Sequence, residues 1–216
     1  MKAIILAAGV NKRLQHKIDY PKSLLKIGKK TILETQIAAL KSAGLKTKDI
    51  LVVVGYKKEM IEKYHKNTVY NKDYKKYDNA RSVYLGLQQT RREEVLILDG
   101  DLIVDKKIIK NIISNKNKNV MLGKEVRDEL LFTYDDNILE YMAIPCKTHK
   151  VFSYGGIVKL SKGNAYLLKL NLQHKTKWYT SQLVDMKGAN DFYVLNVDKN
   201  YKCFDIDTEE DIKKLK

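Results

Sequence analysis

The sequence predicts one α/β domain over residues 1–216, with a mainly parallel sheet, helices on both faces and an antiparallel flap in the second half. Three observations lead there. Apolar runs of strand length alternate with helical periodicity through the first half, the pattern of parallel strands joined by helical crossovers. After about residue 119 the alternation gives way to strand-like runs in hairpin succession. The chain is also long enough for one sizeable core, with an ordinary hydrophobic content of 44%.

Taken in order, Ala3–Ala8 reads as a buried strand. Ile32, Ile37 and Leu40 mark a helix face that Gly44 ends. "ILVVVGY" (50–56) is a second buried strand, and Met60, Ile61 and Tyr64 mark a short helix. "TVYN" (68–71) is a third strand. "DNARSVYLGLQQT" (78–90) opens on an N-cap type residue and continues as a helix. "EVLILDGDLIV" (94–104) is a central strand ending in acids, and "IIKNII" (108–113) is helical. In the second half "NVMLGKE", "ELLFTY", "ILEYMAI" and "VFSYGGIVKL" read as strands. Helices at about 162–170 and 178–187, the strand "DFYVLNV" and a closing helix within "DTEEDIKKL" complete the chain. Asp207 or Thr208 caps that last helix, and Glu209, Glu210 and Asp211 suit its positive end.

Composition argues against several classes. The first apolar run is too short for a signal peptide and leads into Lys12 and Arg13, not into a small-residue cleavage site. No run approaches the roughly 20 apolar residues that span a bilayer. A cytoplasmic protein without membrane insertion is expected. Cys146 and Cys203 lie far apart with no CxxC partner, against a disulfide framework or a zinc site. The formal net charge is +15, yet the 41 cations include few arginines (Arg13, Arg81, Arg91, Arg92, Arg127). Arginine is the better bidentate reader of phosphates and bases. Lysines spread along the chain, with no basic tail, fit small anionic ligands better than nucleic acid.

Ligands of a parallel α/β sheet sit beyond the carboxyl ends of its strands, and three stretches fall there. "AIILAAGVNKRL" (3–14) runs from a strand into a loop with one glycine, Gly9, followed by Lys12 and Arg13. It is a phosphate cradle or a turn. Asn11 stands where a second glycine is usual, and asparagine tolerates the left-handed region. In "YPKSLLKIGKKTILE" (20–34), Pro21 fixes the backbone before Lys22, which is a site cation or a surface lysine. In "LILDGDLIV" (96–104), strand alternation puts Asp99 and Asp101 on one side, with Gly100 allowing close approach. Two such carboxylates are hard oxygen ligands suited to Mg²⁺, or they serve solubility and capping.

In this order, "LAAG…R", "PKSLL.I..K.ILE" and "DGD" resemble the nucleotidyltransferase superfamily of nucleoside-diphosphate-sugar pyrophosphorylases. The late "FDIDTEEDI" (204–212) is similar to that family's closing metal-binding segment. "VYNKDYKKYDNARSVYLGL" (69–87) lacks the Gln–Pro and Gly–Thr–Ala arrangement of sugar nucleotidyltransferases. It is similar instead to small cytidylyltransferases acting on phosphocholine, 2-aminoethylphosphonate or inositol phosphate, through Asn71, Tyr74, Asn79 and Ser82. Asp78 replaces one of the usual asparagines, and Asn11 and Lys12 replace the usual Gly and Ser or Thr.

The resemblance implies a Rossmann-like mixed sheet, with 1–105 as the nucleotide-binding half and 119–216 supplying the acceptor site and closing metal segment. It implies Mg²⁺-dependent attack of an acceptor phosphate or phosphonate oxygen on the α-phosphorus of CTP, releasing pyrophosphate. The alternatives are a sugar-1-phosphate nucleotidyltransferase using UTP, dTTP or GTP, and a silent nucleotide binder. The nucleophile is already anionic, so no protein base or covalent nucleophile is expected. Leu6, Ala7, Ala8, Gly9 and Asn11 would hold base and phosphates, with Asn79, Ser82 and a supporting Asp99. Arg13 would neutralise the β/γ-phosphates, and Lys22 would reach the α-phosphate. Asp101 would bind Mg²⁺ with Asp207, for which Asp205 is the rival. The aromatics around the acceptor include Tyr141, Tyr154, Trp178 and Tyr179, of which Trp178 with Tyr179 would box a quaternary ammonium or belong to the core. Lys124 and Arg127 hold the acceptor phosphate or are solvated surface. Gly155 and Gly156 let backbone approach the acceptor. The resemblance leaves room for a homodimer.

Overall fold

The structure is a computed structural model that describes residues 1–14, 17–126, 151–174, 178–186, 192–197 and 200–213. Its elements follow in chain order. They are β1 (Lys2–Ala7), β2 (Lys26–Ile27), β3 (Lys30–Thr31), α1 (Ile32–Ser42), β4 (Ile50–Val54), α2 (Lys58–Ile61), β5 (Thr68–Tyr70) and α3 (Asn79–Gln88). Then come β6 (Val95–Asp99), β7 (Leu102–Val104), α4 (Lys106–Ser114), β8 (Val120–Val126) and β9 (Val151–Leu160). The chain continues through α5 (Lys162–Leu172), α6 (Tyr179–Asp185), β10 (Tyr193–Asn196), β11 (Cys203–Asp205) and α7 (Glu209–Lys213).

The central sheet has seven strands in the order β10-β8-β9-β6-β1-β4-β5. Pairing is parallel throughout except at β9, which runs antiparallel to both β6 and β8. The antiparallel strands of the second half therefore extend the sheet of the first. Residues 129–134 and 138–144, expected as further strands, lie outside the described residues.

Alternation along β1 divides the core. Ala3, Ile5 and Ala7 pack with Leu33 and Leu40 of α1 and with Ile108, Ile109 and Ile112 of α4. Ile4 faces the other way, onto Ala80, Val83 and Leu87 of α3, Leu168 of α5 and Leu183 of α6. The sheet is thus covered on both faces, and β1, β4 and β6 read as continuous apolar runs for that reason. Helix α1 starts on a capping box, in which Thr31 Oγ1 accepts from Glu34 N at 3.1 Å and Glu34 Oε2 accepts from Thr31 N at 2.8 Å. Gly44 follows the helix with φ +100°, in the left-handed region where the sequence placed the stop.

A third, smaller core joins Leu14, Ile18, Leu25, Ile32, Ile103 and Ile206. It seats the segment after β1 against a two-stranded sheet formed by β7 and β11. Among the described residues no helix is long and apolar enough to cross a membrane.

Candidate active site

From β1 the chain goes to β4 and β5 on one side, then returns to place β6 on the other side of β1. The order reverses between β1 and β6, where an open α/β sheet leaves a crevice beyond its carboxyl ends. Leu6 and Asp99 pair there. A cleft of about 650 Å³ opens at this point, within the roughly 300–1,000 Å³ of small-ligand sites.

The loop after β1 forms one wall. Leu6, Ala7, Ala8, Gly9, Asn11 and Arg13 all line the cleft. Asn11 adopts φ +57°, the left-handed conformation expected of it. Its side chain works as well as its backbone: Nδ2 donates to Tyr20 O at 2.8 Å, and Oδ1 accepts from Lys22 N at 3.4 Å. The residue that replaces a glycine thus straps the loop to the segment carrying Lys22. Pro21 and the turn Lys22–Leu24 hold that segment, and Leu24 and Leu25 anchor it in the core.

The acids come from the other wall. The expectation of one strand over 94–104, with Asp99 and Asp101 on one side, is not met. The strand ends at Asp99, turns at Gly100 and Asp101, and resumes as β7 in the smaller sheet. The turn follows the close approach of Leu6, which only glycine allows. Gly100 N donates to Leu6 O at 3.0 Å, and a Cβ on Gly100 would lie 2.4 Å from that oxygen. The turn sends the two carboxylates to different neighbours. Asp99 acts on the buried hydroxyls of Tyr154 and Tyr179, while Asp101 faces Lys22.

The pairing of β11 with β7 brings the closing segment to the same place. Asp205 lies opposite Leu102, and Ile206 N donates to Asp101 O at 3.3 Å. Asp207 then falls beside Asp101. Lys22 Nζ sits between them, 3.1 Å from Asp101 Oδ2 and 2.6 Å from Asp207 Oδ1. Arg13 reaches Asp207 from outside at 3.3 Å. Asp207 does not cap α7. Thr208 Oγ1 accepts from Asp211 N, and Asp211 Oδ2 accepts from the amides of Asp207 and Thr208. The Asp207 carboxylate is left to the cations.

Charge follows from this packing. Burial works against the Lys22 ammonium, but Asp101 and Asp207 together outweigh it and hold its pKa above the ordinary range. The Asp101 carboxyl is also raised, although Lys22 acts to lower it. Burial is the main cause, with Asp205 and Asp207 adding like-charge repulsion. A lone ion pair would move its members apart; here two carboxylates share one ammonium, and Asp205 adds repulsion on Asp101.

The far side of the cleft comes from α3 and the second half. Asn71 Nδ2 donates to Ser82 Oγ at 3.0 Å, and both residues line the cleft. Asn79 lines it too, with its Oδ1 accepting from Tyr179 N at 3.0 Å, so α3 is tied to the start of α6. Tyr154, Gly156 and Trp178 line the cleft on this side. Tyr179 does not. It is fully buried, its ring meets that of Tyr154 edge to face at 6.0 Å, and the two hydroxyls hydrogen-bond. Burial pushes both hydroxyls well above the ordinary tyrosine range, so both stay neutral. Adjacent aromatics thus divide, Trp178 to the cleft and Tyr179 to the core, where it supports Tyr154.

Gly155 lies against Leu122. Gly156, at φ +82°, lies against Leu102 and Asp205, so its backbone conformation and the neighbouring side chains favour glycine there. Lys124 is placed by its backbone, opposite Ser153. Arg127 and Tyr141 lie outside the described residues. Tyr74, named above only through the resemblance, lines the cleft from the loop before α3, and the site reading missed its neighbours Lys75 and Lys76. The "YKK" run carries no periodic signal that separates a cleft lip from solvated surface.

Among the described residues no cluster of three or more His, Cys, Asp or Glu side chains has metal-holding geometry. The donor chemistry that is present suits a hard cation completed by other ligands, since Asp101 and Asp207 already converge on one cationic centre.

This sheet, with a cleft of cations and carboxylates at its switch point, is that of a nucleotidyltransferase. Residues 3–143 match the family model for the MobA-like NTP transferase domain, and the chain belongs to that family. It is 29% identical to the choline-phosphate cytidylyltransferase of Streptococcus pneumoniae, over 100% of this chain and 96% of that protein. It is also 29% identical to the D-glycero-α-D-manno-heptose 1-phosphate guanylyltransferase of Campylobacter jejuni, over 78% of this chain and 76% of that protein. Among solved structures, the CTP:phosphocholine cytidylyltransferase of S. pneumoniae matches with a TM-score of 0.79 at 23% identity, covering 99% of this chain and 96% of that one. That likeness establishes the fold.

Proposed function

We propose that this nucleotidyltransferase is a cytidylyltransferase, moving CMP from CTP to a small phosphate- or phosphonate-bearing acceptor of the phosphocholine type. The observation that carries the reading is the meeting of Lys22, Asp101 and Asp207 below a strapped nucleotide loop. The full-length similarity to a choline-phosphate cytidylyltransferase supports it.

In the reaction an acceptor oxygen forms a bond to the α-phosphorus, the bridging α–β P–O bond breaks, and pyrophosphate leaves with the electron pair. The obstacle is the meeting of two polyanions. One pair of unit charges at about 4 Å costs about 4 kcal/mol at an effective dielectric of 20. Lys22 and Arg13 answer that repulsion, Lys22 at the α-phosphate and the more exposed Arg13 at the outer phosphates. The loop from Leu6 to Asn11 orients the nucleotide, with Asn71 and Ser82 opposite. Trp178 and Tyr154 provide an aromatic wall for the acceptor, which suits a cationic head group.

Asp101 and Asp207 would hold Mg²⁺. Bound there, the ion would neutralise phosphate charge on the reacting groups. Lys22 must then leave the carboxylates for the substrate. Asp205 repels Asp101 through like charge and lies by Gly156, so in this reading it is the lesser candidate for the ion.

The test is pyrophosphate release with Mg²⁺, crossing CTP, UTP, ATP and GTP against phosphocholine, 2-aminoethylphosphonate, phosphorylated polyols and sugar 1-phosphates. Release with CTP and one of the first three acceptor classes is expected. Release with another nucleotide and a sugar 1-phosphate would replace this reading with a sugar-1-phosphate nucleotidyltransferase. Release with no pair would overturn both.

A further inference from the structure

Helix α1 buries one polar side chain in its apolar face. Gln36 is 1% exposed and lies among the core residues Ile32, Leu33 and Leu40. Its Nε2 donates to Asp99 O at 2.9 Å and to Leu102 O at 2.8 Å. These carbonyls are the two ends of the turn that carries Gly100 and Asp101. The opposite amide orientation would set Oε1 against both carbonyls, so hydrogen bonding fixes which atom points there. Oε1 finds no partner among the described residues. The amide is therefore retained for its two donors, at the cost of an unsatisfied buried acceptor. The turn is held by Gln36 at both ends, by Leu6 O on Gly100 N and by Ile206 N on Asp101 O. Helix α1 follows the Lys22 segment after the short β2–β3 hairpin, through the Thr31 cap. One side chain thus links the helix that follows the Lys22 segment to the turn that presents Asp101.

We propose that Gln36 is a positioning residue for nucleotidyl transfer, clamping both ends of the Asp99–Leu102 turn so that Asp101 is preset for the cation shared with Asp207. The inference rests on the function proposed above. An apolar side chain of the same length fills the space, breaks neither wall of the cleft and removes only the clamp. The carboxylate then loses its preset direction while the nucleotide loop keeps its shape. Groups that orient a metal-binding side chain typically carry about 10–100-fold in metal affinity or activity.

The experiment compares wild type with Gln36→Met, and with Gln36→Asn, whose shorter amide cannot reach both carbonyls but remains polar. Thermal melting and circular dichroism identify the folded variants. CTP binding without metal is read from the fluorescence of Trp178, the one tryptophan of the chain and a cleft residue. Mn²⁺ binding in the presence of CTP is read by electron paramagnetic resonance. Steady-state pyrophosphate release gives kcat, KM and the Mg²⁺ concentration for half activity. In a folded variant, metal-free CTP affinity is expected within about threefold of wild type, Mn²⁺ affinity and kcat about tenfold or more lower, and KM for CTP little changed. A folded variant with wild-type Mn²⁺ affinity, kcat and Mg²⁺ dependence would overturn the proposal, however much its melting temperature drops. Wild type that binds Mn²⁺ with CTP but releases no pyrophosphate would overturn the proposed function and leave Gln36 to be judged on Mn²⁺ affinity. Wild type that binds neither would overturn both.

Discussion

Lys22 and Asp207, 185 positions apart in the chain, meet at 2.6 Å, with Asp101 at 3.1 Å from the same ammonium. The cation comes from the segment after β1 and the acids from the turns flanking β7 and β11, so the contact joins the opening and closing segments of the fold. If Lys22 acts on charge developing at the α-phosphate, Lys22→Ala should lower kcat by about 100-fold or more, with a smaller effect on KM for the nucleotide. Steady-state kinetics decide it. A change confined to KM would restrict Lys22 to ground-state binding.

Asp101 carries a pH signature with a definite sign. Its native carboxyl is raised by burial and by Asp205 and Asp207, so the folded protein binds that proton more tightly than the unfolded chain. The stabilisation is complete below the ordinary carboxyl value and is lost as pH rises through the native one. Ionised Asp101 therefore costs stability at neutral pH. Asp101→Asn should melt at or above the wild-type temperature near pH 7, with the gap closing toward about pH 4. Its turnover should be abolished. Scanning calorimetry across pH and a pyrophosphate assay check the two halves, and wild-type-like turnover would remove Asp101 from the metal assignment.

Gly100→Ala probes the turn directly. The added methyl would meet Leu6 O at 2.4 Å, and neither backbone can yield without opening the β1–β6 junction. We expect a loss of about 1–3 kcal/mol in denaturant unfolding, together with a fall in kcat larger than that of any substitution on the outer surface.

Asn79→Ala separates the two sides of the cleft. It removes the acceptor for Tyr179 N at the start of α6 and leaves α3 intact. Stability should fall by about 1 kcal/mol. Because Trp178 adjoins that contact, KM for the acceptor should rise more than KM for the nucleotide. Equal effects would show that the bond serves packing alone.

Most of the framework was legible in the sequence because it is written in periodicity. The buried runs of β1, β4 and β6 and the apolar faces of α1 and α3 admit few alternatives. Asn11 was legible for a local reason, since few side chains other than glycine tolerate its φ. Asp101 and Asp207 were legible as acids, but their geometry was not. A period of two was carried through Gly100, where contact with Leu6 breaks the strand, and only tertiary packing records that contact. The fate of Trp178 against Tyr179 depends on a ring in β9 and an amide in α3, both distant in sequence. Gln36 did leave a trace. It is a glutamine at core spacing between Leu33 and Leu40, where an amphipathic helix would carry an apolar residue.

The strap formed by Asn11 changes when the loop pays for its order. A glycine-rich loop remains mobile until phosphate arrives, and its conformational freedom is then lost on binding. Here a left-handed asparagine with two side-chain hydrogen bonds to Tyr20 and Lys22 takes that freedom away during folding. Nucleotide capture should consequently show a less unfavourable entropy than in the same loop carrying Asn11→Gly, and faster association. The loop trades adaptability to different phosphates for readiness to receive one.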